Sequence, residues 1–135
     1  MLISTRGKYG LRVIIDLAEH QTDGYIPMKE VAERQQISLK YLEQILPVFV
    51  KNGLIEGVHG KGGGYRLTRT PDEYTVGEIL RLTEGDLAPV ACMVNDGGTC
   101  ERGAECRALP LWHELDTIIN DYLDGKTVRD LMVQV

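Results

Sequence analysis

Cys92, Cys100 and Cys106 are the only cysteines of this 135-residue chain, and all three fall between Asp86 and Ala108. Seven and five residues separate them. An odd number of thiols argues against a disulfide framework. Structural zinc sites usually draw on close pairs such as C-x-x-C, and none is present. Gly97, Gly98 and Gly103 lie among the cysteines, and glycine permits the backbone angles that aim several sulfurs at one centre, as an iron–sulfur cluster requires. The spacing alone leaves metal ligation and reactive or incidental thiols both open. At 23 residues without periodicity, the segment is too long to be an idle connection in a compact domain. His20, His59 and His113 are isolated, and no nucleophile–base set or metal-hydrolase spacing accompanies them, so the sequence does not read as an enzyme.

A second set of chemistry-bearing residues runs from Ser38 to Leu67. Leu42, Ile45, Leu46, Phe49 and Val50 recur at i, i+3, i+4, i+7 and i+8, one apolar stripe of a helix. Lys40, Tyr41, Glu43, Gln44 and Lys51 are left on its other faces, and Ser38 is a good N-cap. Asn52-Gly53 stops the helix. Leu54-Ile55 and Tyr65-Arg66-Leu67 can then pair around His59-Gly60-Lys61-Gly62-Gly63-Gly64, a glycine-rich tip able to approach a phosphate or minor groove. A reader helix followed by such a hairpin is the order of a winged helix. Pro47 lacks an amide proton, so the reader helix is expected to kink or split near residue 46.

The elements that must hold these two sets follow from pattern and caps. A first helix is expected from about Lys8 to His20, capped by Ser4-Thr5, with Gly10, Val13, Ile14, Leu17 and Ala18 inward. Arg6, Lys8 and Arg12 cluster near its start, either as a solvated helix end or as phosphate contacts. A short second helix runs from Met28 to Gln35 and turns at Gln36-Ile37. Thr75-Val76-Gly77-Glu78 reads as a capping box opening a helix to about Glu84. A last long helix begins at Pro110 and ends near Asp124, with Leu111, Leu115, Ile118, Ile119 and Tyr122 as its stripe; Val128 to Met132 form a final turn. That stripe is expected to meet its counterpart from a second copy of the chain, the alternative being the chain's own first helix. The fold class is therefore mainly α with a small β-hairpin wing. Its parts are a winged helix-turn-helix module at 1–84, a cysteine-bearing loop at 85–109, and a dimerisation helix with a C-terminal turn at 110–135.

Charge also separates along the chain. Residues 1–70 carry ten lysines and arginines against seven aspartates and glutamates, net +3, whereas residues 71–135 carry five against thirteen, net −8, for a total of −5. A basic front half suits nucleic acid and an acidic rear half suits some other role. There is no run of about 18 apolar residues and no apolar block at the start, so a cytoplasmic protein with no membrane span is expected.

Ser4-Thr5-Arg6-Gly7-Lys8-Tyr9-Gly10, Ile37-Ser38 with Tyr41-Leu42-Glu43-Gln44, Asn52-Gly53-Leu54 and Gly62-Gly63-Gly64-Tyr65 together resemble the Rrf-type winged-helix regulators of bacteria over nearly the whole chain. The three cysteines narrow the resemblance to that family's cluster-binding branch. It implies a homodimer whose long helices cross, reading successive major grooves of a palindromic operator in double-stranded DNA. It also implies a repressor of iron–sulfur cluster biogenesis genes. Ser38, Lys40, Tyr41, Glu43 and Gln44 would face the bases, with Glu43 discriminating between operators because a carboxylate accepts from cytosine. Arg6, Lys8, His59, Gly60 and Lys61 would serve the backbone and minor groove, and Cys92, Cys100 and Cys106 the cluster. A [2Fe-2S] cluster is favoured over [4Fe-4S].

The chain also departs from the family pattern. His59 stands where the wing usually carries an arginine, which weakens attraction to a narrow minor groove. Leu109 stands where the cluster branch has a histidine, and Lys8 where the nitrosative-stress branch has an aspartate. The fourth ligand is therefore open among Glu43, Glu101, Glu105, His113, a partner subunit and a small molecule. Cluster occupancy is expected to alter operator affinity by linkage. The alternatives are a thiol-redox or zinc-responsive regulator on the same fold, or a regulator controlled by a docked metabolic enzyme.

Overall fold

The structure is a computed structural model that describes residues 2–91 and 105–133. In chain order the elements are α1 (Thr5–Glu19), α2 (Met28–Gln35), α3 (Leu39–Lys51), β1 (Ile55–Val58), β2 (Gly64–Leu67), a 3-10 turn (Pro71–Glu73), α4 (Val76–Glu84), α5 (Leu109–Asp124) and α6 (Val128–Leu131). The antiparallel hairpin pairs Ile55 with Leu67 and Val58 with Gly64.

α1 begins one turn earlier than expected, because Ser4 is its N-cap and accepts from the Gly7 amide at 3.2 Å. Its inner face, with Val13, Ile14 and Leu17 fully buried, meets Val31 of α2, Leu42, Ile45 and Phe49 of α3 and Ile79 of α4 in one core. α2 ends on Gln36 in the left-handed region (φ 55°), after which Ser38 caps α3 by accepting from the Tyr41 amide. That tight reversal is the turn of a helix-turn-helix.

α3 does not split at Pro47; it runs as one helix from Leu39 to Lys51. An internal proline costs roughly 3 kcal/mol, whereas each fully buried large apolar side chain contributes about 1.5–3 kcal/mol. Leu42, Ile45, Leu46 and Phe49 all lie in the core, so packing outweighs the lost hydrogen bond. Glu43 and Pro47 are both exposed, so water can reach the carbonyl that loses its donor. Val50, expected in the stripe, is 43% exposed because it lies beyond that core face, beside the wing.

The hairpin is tied down at both ends. Ile26 and Tyr65 exchange backbone bonds of 2.8 and 2.9 Å, a single antiparallel bridge that ties the α1–α2 loop to β2. Tyr74, fully buried, donates its hydroxyl to the Leu54 carbonyl at 2.6 Å and accepts from the Thr68 and Arg69 amides at 3.0 and 3.1 Å. Thr75 caps α4 by accepting from the Glu78 amide at 3.0 Å, while the Glu78 carboxylate takes Arg69 at 2.9 Å.

α5 lies against α4. Ile119 and Leu123 join Val76, Leu80 and Leu87 in a second small core. Arg81 grips Asp124 at 2.7 and 2.9 Å and Asn120 at 2.6 Å. The Asp124 carboxylate holds the Arg81 guanidinium protonated beyond its usual range. α6 returns to the first core, where Val128 is fully buried and a backbone bridge joins Thr127 to Thr75.

Candidate nucleic-acid interface and cysteine segment

The candidate reading surface is the exposed side of α3 together with the hairpin that follows it. Ser38, Lys40, Glu43 and Gln44 are exposed, as base-edge readers at the N-terminal end of a recognition helix must be. Tyr41 differs from them: it is half-buried and meets Tyr9 of α1 edge-on, with ring centroids 5.3 Å apart. The two helices are thereby linked at the reading end.

At the tip of the wing His59, Gly60 and Lys61 are exposed. Gly60 and Gly62 have φ of 93° and 79°, a region that only glycine enters without strain, so the turn that presents Lys61 depends on them. Arg66, the other wing cation, is drawn away from that role. It pairs with Glu56 across the hairpin at 2.5 Å and stacks over Tyr25 at 4.4 Å. Between wing and reader helix lies a cleft of about 380 Å³ bordered by Leu39, Val50, Val58, Lys29 and His59. Leu39 and Val58, 41% and 48% exposed, give this trough an apolar side that the sequence reading missed. The signal was present in the spacing: Leu39 and Val50 are three helical turns apart.

Arg6 and Lys8 are exposed on the first two turns of α1. Arg12 is not available in the same way, since its Nε donates to the Gln35 side chain at 3.1 Å, its guanidinium also reaches the Gln35 carbonyl, and it lies over the Tyr9 ring. Asp16 was missed altogether. Completely buried, it accepts from Arg34 Nε at 3.0 Å, from Arg34 Nη2 at 2.7 Å and from the Gln35 side-chain Nε2 at 2.9 Å. This ion pair locks α1 to α2, and the carboxylate holds Arg34 charged beyond its usual range.

Cys92 and Cys100 lie outside the described residues, as does Glu101. Cys106 is half-buried, three residues before Leu109, the first residue of α5. The Leu109 side chain is aliphatic and supplies no donor atom. Among the described residues no group of three or more histidines, cysteines, aspartates or glutamates comes together around a possible metal position. Glu43 and His113 are exposed, on α3 and α5 respectively. What the structure does establish is where the cysteine segment is moored: it leaves the end of α4 and re-enters at the start of α5.

A helix-turn-helix with a glycine-tipped wing, cations at its edges and no catalytic constellation among the described residues defines a winged-helix DNA-binding regulator. The chain belongs to the Rrf2 family, described as an iron-dependent transcriptional regulator, which it matches over residues 3–134. It is 37% identical over 133 residues to the HTH-type transcriptional regulator IscR of Aliivibrio salmonicida, covering 98% of this chain and 78% of that protein. Among solved structures it is similar to IscR of T. potens, with 33% identity, a TM-score of 0.73 and coverage of 100% of this chain and 94% of that one. It is also similar to CymR, the global cysteine regulator of B. subtilis, with 33% identity, a TM-score of 0.78 and coverage of 97% and 95%. The relatives are transcriptional regulators and not enzymes. No helix among the described residues is long and apolar enough to cross a membrane.

Proposed function

We propose that this regulator acts as a homodimeric repressor whose affinity for a palindromic operator is set by an iron–sulfur cluster, [2Fe-2S] rather than [4Fe-4S], held by Cys92, Cys100 and Cys106. The observation that carries the reading is the placement of all three thiols in one segment between α4 of the DNA-binding body and α5. The fold by itself does not choose, since its likeness to CymR is as strong as its likeness to IscR. The sulfur donor set, in a family described as iron-dependent, supports the cluster reading.

The second half of the proposal rests on α5. Leu111, Leu115, Ile118 and Tyr122 are 58%, 36%, 57% and 63% exposed. Their spacing of four, three and four residues is a heptad seam, the pattern of a helix that packs along another helix. Ile119 and Leu123 are already engaged with α4. A second copy related by a two-fold axis covers the seam and gives the paired reader helices the symmetry of a palindrome. Arg6, Lys8 and Lys61 then meet phosphates and fix the register.

The three sulfurs fit a cluster and Leu109 does not, so the fourth ligand comes from Glu105, Glu101, Glu43, His113, the partner subunit or a small molecule. When bound, the cluster supplies a centre sensitive to iron supply and oxidant. An oxygen or exogenous fourth ligand suits a centre that must be lost readily.

The test is operator binding by reconstituted protein, cluster-free protein and a Cys92→Ala, Cys100→Ala, Cys106→Ala triple variant at one fixed salt concentration, because phosphate contacts make affinity strongly ionic-strength dependent. The loaded and cluster-free forms are expected to differ by about 5- to 150-fold, with the triple variant matching the cluster-free form. Equal affinity in all three, or a colourless protein that retains zinc, removes the cluster from the account and favours a thiol or zinc sensor.

A further inference from the structure

We infer that Leu39 is a specificity-determining residue, one that reads the 5-methyl group of a thymine in the major groove. Leu39 is the first residue of α3 and stands between Ser38 and Lys40. That end of a recognition helix is the one that reaches base edges in helix-turn-helix modules. The core takes Leu42, Ile45, Leu46 and Phe49 from α3, and Leu39 lies outside it, exposed. A single exposed leucine is ordinary on a protein surface. Leu39 is not single: with Val50 and Val58, both exposed, it borders the cleft of about 380 Å³ between reader helix and wing.

The walls and rim of this cleft indicate what covers it. α3 and the hairpin are the two elements with which a winged-helix regulator holds a duplex, so the DNA strand between them passes over the space they enclose. The rim carries Lys29, in the first turn of α2, and His59 at the wing tip, both exposed. Lys29 offers the positive charge that a phosphate calls for. The apolar side of the cleft is thus continuous with the surface that meets bases.

The neighbours of Leu39 narrow its role. Ser38 Oγ is committed to capping, since it accepts from the Tyr41 amide at 3.1 Å, and Tyr41 is set against Tyr9. Leu39, Lys40, Glu43 and Gln44 remain for the groove. The three polar side chains match hydrogen-bonding groups on base edges, whereas the thymine methyl is the apolar mark of the major groove and is met by an apolar side chain. Uracil and cytosine have hydrogen where thymine has that methyl. Removing one methyl from water corresponds to about fourfold in affinity. The inference rests on the DNA-reading role of α3 and is independent of the cluster.

The test uses the full chain. Wild-type protein first selects a duplex from a random pool. Copies of that duplex then carry deoxyuridine in place of each thymine in turn, which removes one methyl and keeps every hydrogen-bonding group. Affinities are measured at one fixed salt concentration for wild type, Leu39→Ala and Leu39→Met. Wild type is expected to lose about fourfold at one recurring thymine. Leu39→Ala is expected to bind the thymine and deoxyuridine duplexes alike, and Leu39→Met, still apolar and long, to keep most of the difference. Should Leu39→Ala fail to fold, Leu39→Gln, which keeps the reach and ends in an amide, is expected to bind both duplexes alike. A structural role alone would weaken binding to both duplexes equally, so a Leu39→Ala or Leu39→Gln protein that keeps the wild-type ratio overturns the inference. So does a wild type indifferent to every deoxyuridine, or a selected sequence in which no thymine recurs. A wild type that selects no common sequence at all overturns the reading role of α3, and the inference with it.

Discussion

Tyr74 shows how much one side chain can hold and how little of that is visible in advance. Its hydroxyl serves two amide donors and one carbonyl, all at the base of the wing. Replacing it by phenylalanine keeps the ring and strands those groups in a dry site, at a cost of about 1–3 kcal/mol. The urea midpoint of Tyr74→Phe should fall accordingly, and operator affinity should fall with it as the wing loosens. An unchanged midpoint would remove Tyr74 from the account of the wing. Asp16 and Glu84 belong with Tyr74. Asp16 reaches Arg34 from 18 positions away, Glu84 reaches Ser4 from 80, and Tyr74 reaches Leu54 from 20, so no local pattern could point to those contacts. That Ser38, Lys40, Glu43 and Gln44 are exposed was legible because they are what an apolar stripe leaves over.

At the level of elements, caps and periodicity located α2, α4 and α5 to within a residue or two, since those signals are local, whereas β1 runs on to Val58, three residues beyond the expected Ile55. Pro47 misled for the complementary reason. Its effect on α3 depends on how much apolar surface the rest of the helix buries, and that is a tertiary quantity. The box at Thr127 also went unread. Thr127 Oγ1 accepts from the Asp130 amide and the Asp130 carboxylate accepts from the Thr127 amide at 2.9 Å. The Thr127 backbone bond, then its side-chain bond, holds the Asp130 carboxyl below the usual range. A lowered folded value means that this support is complete above the unfolded carboxylate value of about 3.9 and is lost as pH falls through the folded value. Protection of the amides at Val128–Leu131, taken relative to their intrinsic exchange rates at each pH, should therefore stay constant from neutral pH down to about 4 and fall below it, whereas Asp130→Asn should lack that acid step. A loss of protection between pH 5 and 7, or one shared by the asparagine variant, would assign the effect to other groups.

For the whole molecule, the proposal requires a second chain. Ile118→Glu places a charge in the middle of the seam while leaving Ile119 and Leu123 on α4. Sedimentation should then report a monomer of unchanged helix content, with operator affinity lower by about 100-fold or more as the second half-site contact is lost. A variant that stays dimeric would show that α5 is covered by something else. The division of charge was legible from composition, and the order of the helices and the hairpin from their patterns. The return of α6 to the first core was not, because the burial of Val128 and the backbone bonds of Val128 to Tyr74 and of Lys126 to Val76 are made with residues about 50 positions earlier.

That return fixes α5 from two sides: Arg81 holds its last turn, and the buried Val128 anchors the chain just beyond it. An arm braced in this way behaves as a strut and not as a tether. In a two-fold assembly built on such struts, the distance and twist between the two reading ends are set by the protein before any DNA arrives. With roughly 10 to 10.5 base pairs per turn, one extra pair at the centre of an operator rotates the far half-site by about 35 degrees, more than a braced frame can follow by bending. Discrimination against misspaced sites would then come from stiffness, with no base at the centre being touched.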